Sequence, residues 1–269
     1  MIEKQGRLTA SLFFCQFTKM ICYNPGMDYS IVQQLIELNR RFYADFGTQF
    51  SATRQRIQPG VRKIISQLTG TENILDIGCG NAELARTLAE TGFRGTYTGL
   101  DFSLPLLKDA RVQPDGFSTS FFEVDLAATG WEQVLGQKRF SLITAFAVFH
   151  HIPGMHLRQS NFLKIHELLD RGGKFIQSNW QFLNSEKLRG RIQPWEAVGI
   201  STKDVEEGDY LLDWRGGGSG LRYAHHFSIQ ELDCLASETG FQVKESFLSD
   251  GESGRLGLYQ IWENYENKR

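Results

Sequence analysis

A chain of 269 residues, 41% hydrophobic and 22% charged, has the length and balance of one large globular domain or a core with a modest insertion. Its formal charge of −2 excludes a general electrostatic bias toward nucleic acid or acidic lipid and leaves only local basic faces. No apolar run approaches the roughly 20 residues that a membrane span needs, so no membrane partner is expected.

Residues 1–26 hold one short apolar stretch, Leu12–Phe14, soon broken by Gln16 and Lys19, which makes a poor signal peptide. The breaker Asn24-Pro25-Gly26 precedes Met27. This segment is expected to be a disordered extension or the product of a start assigned too early, with a single domain over 27–269. Of the cysteines, Cys15, Cys22, Cys79 and Cys234, no two form a CxxC pair, and no His/Cys cluster has zinc spacing. That pattern predicts reduced thiols in a cytosolic protein and no metal site.

From Ser30, Ile31, Leu35 and Leu38 fall at helical spacing, and Phe42, Tyr43 and Phe46 carry the pattern on. Phe50–Arg56 is polar and basic and reads as a loop. A second helix runs from Pro59 through Val61, Ile64, Ile65 and Leu68 to Thr69-Gly70. Strands and helices then alternate. The strands are Asn73–Ile77, Gly95–Leu100, Ser120–Val124, Phe140–Val148 and Lys174–Ser178; the helices between them are Ala82–Thr91, Pro105–Arg111 and Leu157–Leu169. This rhythm predicts a doubly wound, Rossmann-like α/β fold with a mostly parallel sheet. Residues 180–223 break it, with Trp180, Trp195, Trp214 and a glycine run, and are expected to form an irregular, lid-like insertion. Ser228-Ile229-Gln230-Glu231 resembles a capping box opening a helix that ends at Gly240. Gln242–Leu248 and Leu256–Trp262 close the chain as an antiparallel hairpin.

The most informative stretch is Asp76-Ile77-Gly78-Cys79-Gly80-Asn81 at the end of the first strand. Gly78 and Gly80 allow a turn tight enough for a ligand to lie on bare backbone. A nicotinamide-binding loop wants Gly-x-Gly-x-x-Gly/Ala, but Glu83 occupies the sixth position, where a carboxylate repels pyrophosphate. Asp76 instead suits a cationic ligand with an ammonium and no phosphate, as S-adenosylmethionine is. Gly99-Leu100-Asp101 ends the second strand, where a carboxylate accepts ribose hydroxyls. Phe102 is placed to cover an adenine face, and Asp125, after the third strand, to accept from the adenine amino group. Any one of these acids has the alternative of a turn former or helix cap.

These motifs resemble class I S-adenosylmethionine-dependent methyltransferases over roughly Met27 to Trp262. The resemblance implies S-adenosylmethionine as cofactor, held at its amino-acid end by Asp76, Gly78 and Gly80, at its ribose by Asp101 and at its adenine by Asp125. The Asn/Asp-Pro-Pro-aromatic motif common in enzymes that methylate exocyclic amino groups of bases does not follow the fourth strand. His150 and His151 stand there, as general bases or as a loop-orienting and a solvated histidine.

Three further pieces are similar to the tRNA methyltransferases that esterify the carboxymethyl group of modified wobble uridines. They are Phe50-Ser51-Ala52-Thr53-Arg54, Ala147-Val148-Phe149-His150-His151 and Arg222-Tyr223-Ala224-His225-His226-Phe227. This resemblance implies a tRNA acceptor and, as in eukaryotic members, a small zinc-binding partner. A tryptophan expected after the Thr-Arg segment is replaced by Ile57-Gln58-Pro59, which marks a divergent relative. Arg54 and Arg222 are the candidates for holding an acceptor carboxylate by bidentate bonds, with Tyr223 and His225 as shaping or hydrogen-bonding groups. Arg40, Arg41, Arg54, Arg56, Arg62 and Lys63, with Lys187, Arg189 and Arg191, are either phosphate contacts or solvated faces. The alternatives are a small-molecule O- or N-methyltransferase and a cofactor-binding subunit without catalysis.

Overall fold

The stripe that begins at Ile31 winds into helix α1, Tyr29–Ala52, which buries Leu35 and Phe42. It is longer than expected and takes in Phe50, Ser51 and Ala52, which the polar composition had assigned to a loop. This computed structural model describes residues 26–52, 57–110, 116–215, 218 and 220–264; Arg54 and almost all of the expected extension lie outside them. Pro59 opens helix α2, Pro59–Ile65, at the position where a missing N–H costs nothing.

The β-α rhythm follows as β1 (Asn73–Ile77), α3 (Glu83–Glu90), β2 (Thr96–Asp101), α4 (Leu104–Ala110) and β3 (Ser118–Glu123). Next come β4 (Phe140–Phe146), α5 (Met155–Leu168) and β5 (Leu169–Trp180). Strand β4 ends two residues before the apolar run does, because Ala147 turns into the left-handed region at φ +60° and a 3-10 turn, Phe149–His151, follows. Strand β5 starts earlier than expected. Gly172 at φ +72° lets Asp170–Gly173 bulge out, so that Phe140 pairs Leu169 while Leu142 pairs Lys174.

The region expected to be irregular instead carries α6 (Glu186–Arg189) and a three-stranded antiparallel sheet, β6 (Ile192–Gln193), β7 (Asp209–Trp214) and β8 (Gly220–His225). Helix α7 (Ile229–Glu238) has half of the expected capping box: Ser228 Oγ accepts from the Glu231 N–H, but the Glu231 carboxylate reaches His225 instead. Strands β9 (Phe241–Ser249) and β10 (Gly257–Asn264) form the closing hairpin.

The main sheet has seven strands in the order β3-β2-β1-β4-β5-β10-β9, parallel except for β10. It is a doubly wound Rossmann-like sheet. Alternate residues feed its two faces: Leu75, Ile77, Ile143, Phe175 and Trp262 pack on one side, and Ile74, Leu142, Ile176, Tyr97 and Tyr259 on the other. The chain reverses direction across the sheet between β1 and β4, and the crevice at their carboxyl ends is where such sheets bind ligands. Among the described residues no helix is long and apolar enough to cross a membrane.

Candidate functional site

A cavity of about 610 Å³ opens over that crevice. Its floor is the turn after β1. Gly78 at φ +68° could carry no side chain, since a Cβ would lie 2.4 Å from Val148 Cγ2, and Gly80 at φ +55° faces open space. The Cys79 N–H donates to the Leu100 carbonyl at 2.9 Å, tying the turn to β2 and leaving its backbone bare toward the cavity.

Asp76 lies at the back of this turn, 4% exposed. Its carboxylate accepts from Tyr97 Oη at 2.5 Å and Thr144 Oγ1 at 2.7 Å. Burial pushes its pKa up to about 6, against the lowering effect of those two hydrogen bonds. Asp101 is also buried and raised, with burial outweighing the N–H groups of Ser103 and Gly80, each 2.8 Å away. Neither acid has an ion-pair partner among the described residues. Phe102 lines the wall edge-on to Tyr43, ring centroids 5.6 Å apart. Asp125 lines it too, and accepts from the Ala127 N–H at 2.8 Å and from Arg40 Nε at 3.0 Å, with a closer contact from Arg40 Nη2.

The opposite end is aromatic and basic. Arg222 is buried on β8 with its guanidinium carbon 4.7 Å from the Trp180 ring centroid, 5.3 Å from that of Phe42 and 5.7 Å from that of Trp214. Arg191 and Leu188 close this end from the insertion. Of the three expected lid tryptophans, Trp180 and Trp214 line the cavity, while Trp195 is core, packed with Leu35, Ile200, Leu211 and Tyr223. His151 lines the cavity and shares a 2.8 Å hydrogen bond with Tyr43 Oη; His150 is buried and accepts from the Trp180 N–H at 3.3 Å.

The structure does not bring Tyr223 and His225 to this cavity. Side chains alternate along β8, so with Arg222 facing the cavity its neighbours at odd positions face away. Tyr223 Oη donates to Asp209 Oδ1 at 2.7 Å, and His225 bridges Asp209 at 2.7 Å and Glu231 at 2.9 Å. Arg158 joins the network through Glu206 at 2.7 Å. Burial alone would lower the Arg158 pKa, but Tyr223, Glu206, Glu231 and Asp209 around it hold it raised. For His225, burial and the Arg158 charge work downward, and the hydrogen bonds to Asp209 and Glu231 carry it upward. Glu206, Asp209 and His225 offer ligand-type atoms within 4.8 Å of one another. The guanidinium of Arg158 already supplies positive charge there, so this is a buried ion network that ties the insertion to α5 and α7.

Helix α1 supplies wall residues that periodicity alone had assigned to a core helix: Ile36, Asn39, Arg40 and Tyr43. Asn39 carried a signal, a polar side chain among Leu35, Leu38 and Phe42 on an apolar stripe. Thr144 and Tyr97, which hold Asp76, carried none, since each depends on strand register.

Residues 35–246 match the family described as the methyltransferase domain. The chain is 28% identical over 211 residues to a protein of Encephalitozoon cuniculi provisionally named a methyltransferase, covering 76% of this chain and 86% of that one. Its fold is similar to that of a Methanosarcina mazei S-adenosylmethionine-dependent methyltransferase, with TM-score 0.59, 20% identity, and 78% and 99% of the two chains covered. It is also similar in fold to the magnesium protoporphyrin IX methyltransferase of Synechocystis PCC 6803 with bound S-adenosylmethionine, with TM-score 0.51, 15% identity, and 81% and 83% covered.

Proposed function

The chain belongs to the methyltransferase domain family, and from that premise we propose that it is an S-adenosylmethionine-dependent enzyme that esterifies an acceptor carboxylate held by Arg222. One observation carries this reading: the cavity is acidic at one end, with Asp76, Asp101 and Asp125, and basic and aromatic at the other, with Arg222, Trp180 and Trp214. Two buried carboxylates with no ion-pair partner among the described residues fit a cationic ligand. When bound, the cofactor supplies an electrophilic methyl group on a sulfonium. Asp76 would receive its amino group at the turn of Gly78 and Gly80, Asp101 would accept from the ribose hydroxyls, Phe102 would cover the adenine and Asp125 would accept from its amino group.

At the far end a carboxylate is already ionised near pH 7, so the acceptor needs no general base. What remains is alignment. Arg222, set among the rings of Trp180, Phe42 and Trp214, offers a bidentate fork that would hold the acceptor oxygen for in-line transfer, and the same aromatic walls would exclude water.

The carboxymethyl group of a tRNA wobble uridine is the first candidate, on the resemblance of the segments that hold Arg222 and His151. A small carboxylic acid is the second, favoured by the position of α1 across the cavity wall. The test is transfer of labelled methyl into gently prepared small RNA from cells lacking this protein, followed by mild base. Label that enters RNA and leaves as methanol supports the first acceptor. No incorporation, with cofactor binding measured separately, moves the assignment to a small acid.

A further inference from the structure

The sequence holds a basic run in the insertion, Lys187, Arg189 and Arg191, and the fold gives its members different tasks. Lys187 is exposed and outside the cavity lining. Arg189 spends its guanidinium on the Leu183 carbonyl, Nη1 to O 2.6 Å. Arg191 lines the cavity at the same end as Arg222.

The Arg191 backbone is fixed. Its N–H donates to the Leu188 carbonyl at 3.0 Å and its carbonyl accepts from the Asp213 N–H at 2.9 Å. Its guanidinium makes no hydrogen bond or ion pair among the described residues. Asp213, the acid opposite it, is already taken by Arg215, with Nη2 to Oδ2 at 2.7 Å. The register sets the spacing between the two arginines. Ile192 pairs Leu212 and Leu212 pairs Arg222; Arg191 precedes β6 beside that row, outside the strand, so strand alternation does not fix its side chain and it joins the cavity lining. Two strand spacings put their Cα atoms about 10 Å apart. With one carboxylate filling the Arg222 fork, the Arg191 guanidinium at that spacing is left for a second anionic group on the same molecule.

We propose that Arg191 is a second anion contact of the acceptor subsite, so that the acceptor carries two anionic groups, one at Arg222 beside the transferred methyl and one at Arg191. This rests on the reading of Arg222 as the carboxylate holder. The second group is a phosphate if the acceptor is a nucleotide and a carboxylate if it is a small diacid.

The test is calorimetric binding to the full chain saturated with S-adenosylhomocysteine, using two probe pairs that differ by one charged group. The pairs are 5-carboxymethyluridine with its 5′-monophosphate, and monomethyl glutarate with glutarate. The wild type is expected to prefer the more charged member of at least one pair by about tenfold, the effect of one charge-assisted hydrogen bond. Arg191→Gln brings that ratio close to one, while Lys187→Gln, outside the cavity, keeps it and excludes a bulk charge effect. Preference in the uridine pair identifies a phosphate; preference in the glutarate pair identifies a diacid. A wild-type ratio near one, a ratio that survives Arg191→Gln, or binding by none of the four probes overturns the proposal. Arg222→Gln separates it from the reading beneath it. If the singly charged probes bind that variant undiminished, the carboxylate assignment of Arg222 fails, and a ratio abolished by Arg191→Gln still upholds the second contact.

Discussion

If Asp76 receives the amino group of the cofactor, binding must follow its ionisation. With a pKa near 6 in the free protein, only about a tenth of the molecules carry the charge at pH 5, and the apparent Kd rises as the inverse of that fraction. The expected affinity for S-adenosylhomocysteine, which keeps the amino group and is chemically stable, is therefore about tenfold weaker at pH 5 than at pH 7.5. Asp76→Asn should bind weakly and lose this dependence. The same shift acts on folding. An unfolded aspartate releases its proton near 3.9, so between about pH 4 and pH 6 the folded state holds more protons than the unfolded one. Stability of the cofactor-free protein then falls as pH rises through that window, by roughly 3 kcal/mol in total, and Asp76→Asn removes the fall. Isothermal titration at four pH values and urea unfolding at the same values read both effects. A wild-type Kd that stays flat from pH 5 to 7.5 refutes the argument.

Three other perturbations have defined outcomes. Arg158→Ala leaves Glu206, Asp209 and Glu231 without their buried cation, which costs about 3–5 kcal/mol; Tm in a thermal melt should fall by about 10 °C or more. Arg40→Ala frees Asp125 from a half-exposed ion pair worth less than about 1 kcal/mol, so stability should hardly move while cofactor Kd tightens a few-fold; weaker binding would instead place Arg40 on the cofactor. Gly78→Ala forces a side chain into left-handed backbone and onto Val148, costing roughly 2–5 kcal/mol from strain and overlap together, and Val148→Ala in the same chain should recover part of it in urea unfolding.

The acidic end of the cavity was readable because its information is local. Asp76, Gly78 and Gly80 lie within five positions, and the strands that end at them are short apolar runs. Asp101 and Asp125 follow from the same rhythm. The acceptor end depends on contacts between distant segments. Residues 180–223 looked irregular because β6 is two residues long and β7 and β8 mix polar and aromatic side chains, so neither carries clean alternation. Once Arg222 is given to the cavity, a period of two already sends Tyr223 and His225 to the other face, where Asp209 and Glu231 wait. Their partners come from sequence positions that no local pattern connects. Arg191 was visible only as one charge in a run; its separation from Lys187 and Arg189 needed the strand register.

Among the described residues, the small sheet of the insertion ends at β8, which pairs with β7 on one side only. On its open side Asn39 of α1 does what another strand would do. Its Oδ1 accepts from the Tyr223 N–H at 2.9 Å, and its Nδ2 reaches the Tyr223 carbonyl at 3.3 Å and the His151 carbonyl at 3.1 Å. With His151 Nδ1 3.4 Å from the Tyr223 carbonyl, this amide satisfies the Tyr223 peptide on a β edge that is buried against α1. Asn39→Leu is of similar size and has no such groups, so it should leave that buried peptide without its partner at a cost of about 1–3 kcal/mol, read in urea unfolding. The helix that walls the cavity thereby also closes the small sheet, and a graft that replaced α1 to alter acceptor choice would have to bring its own amide.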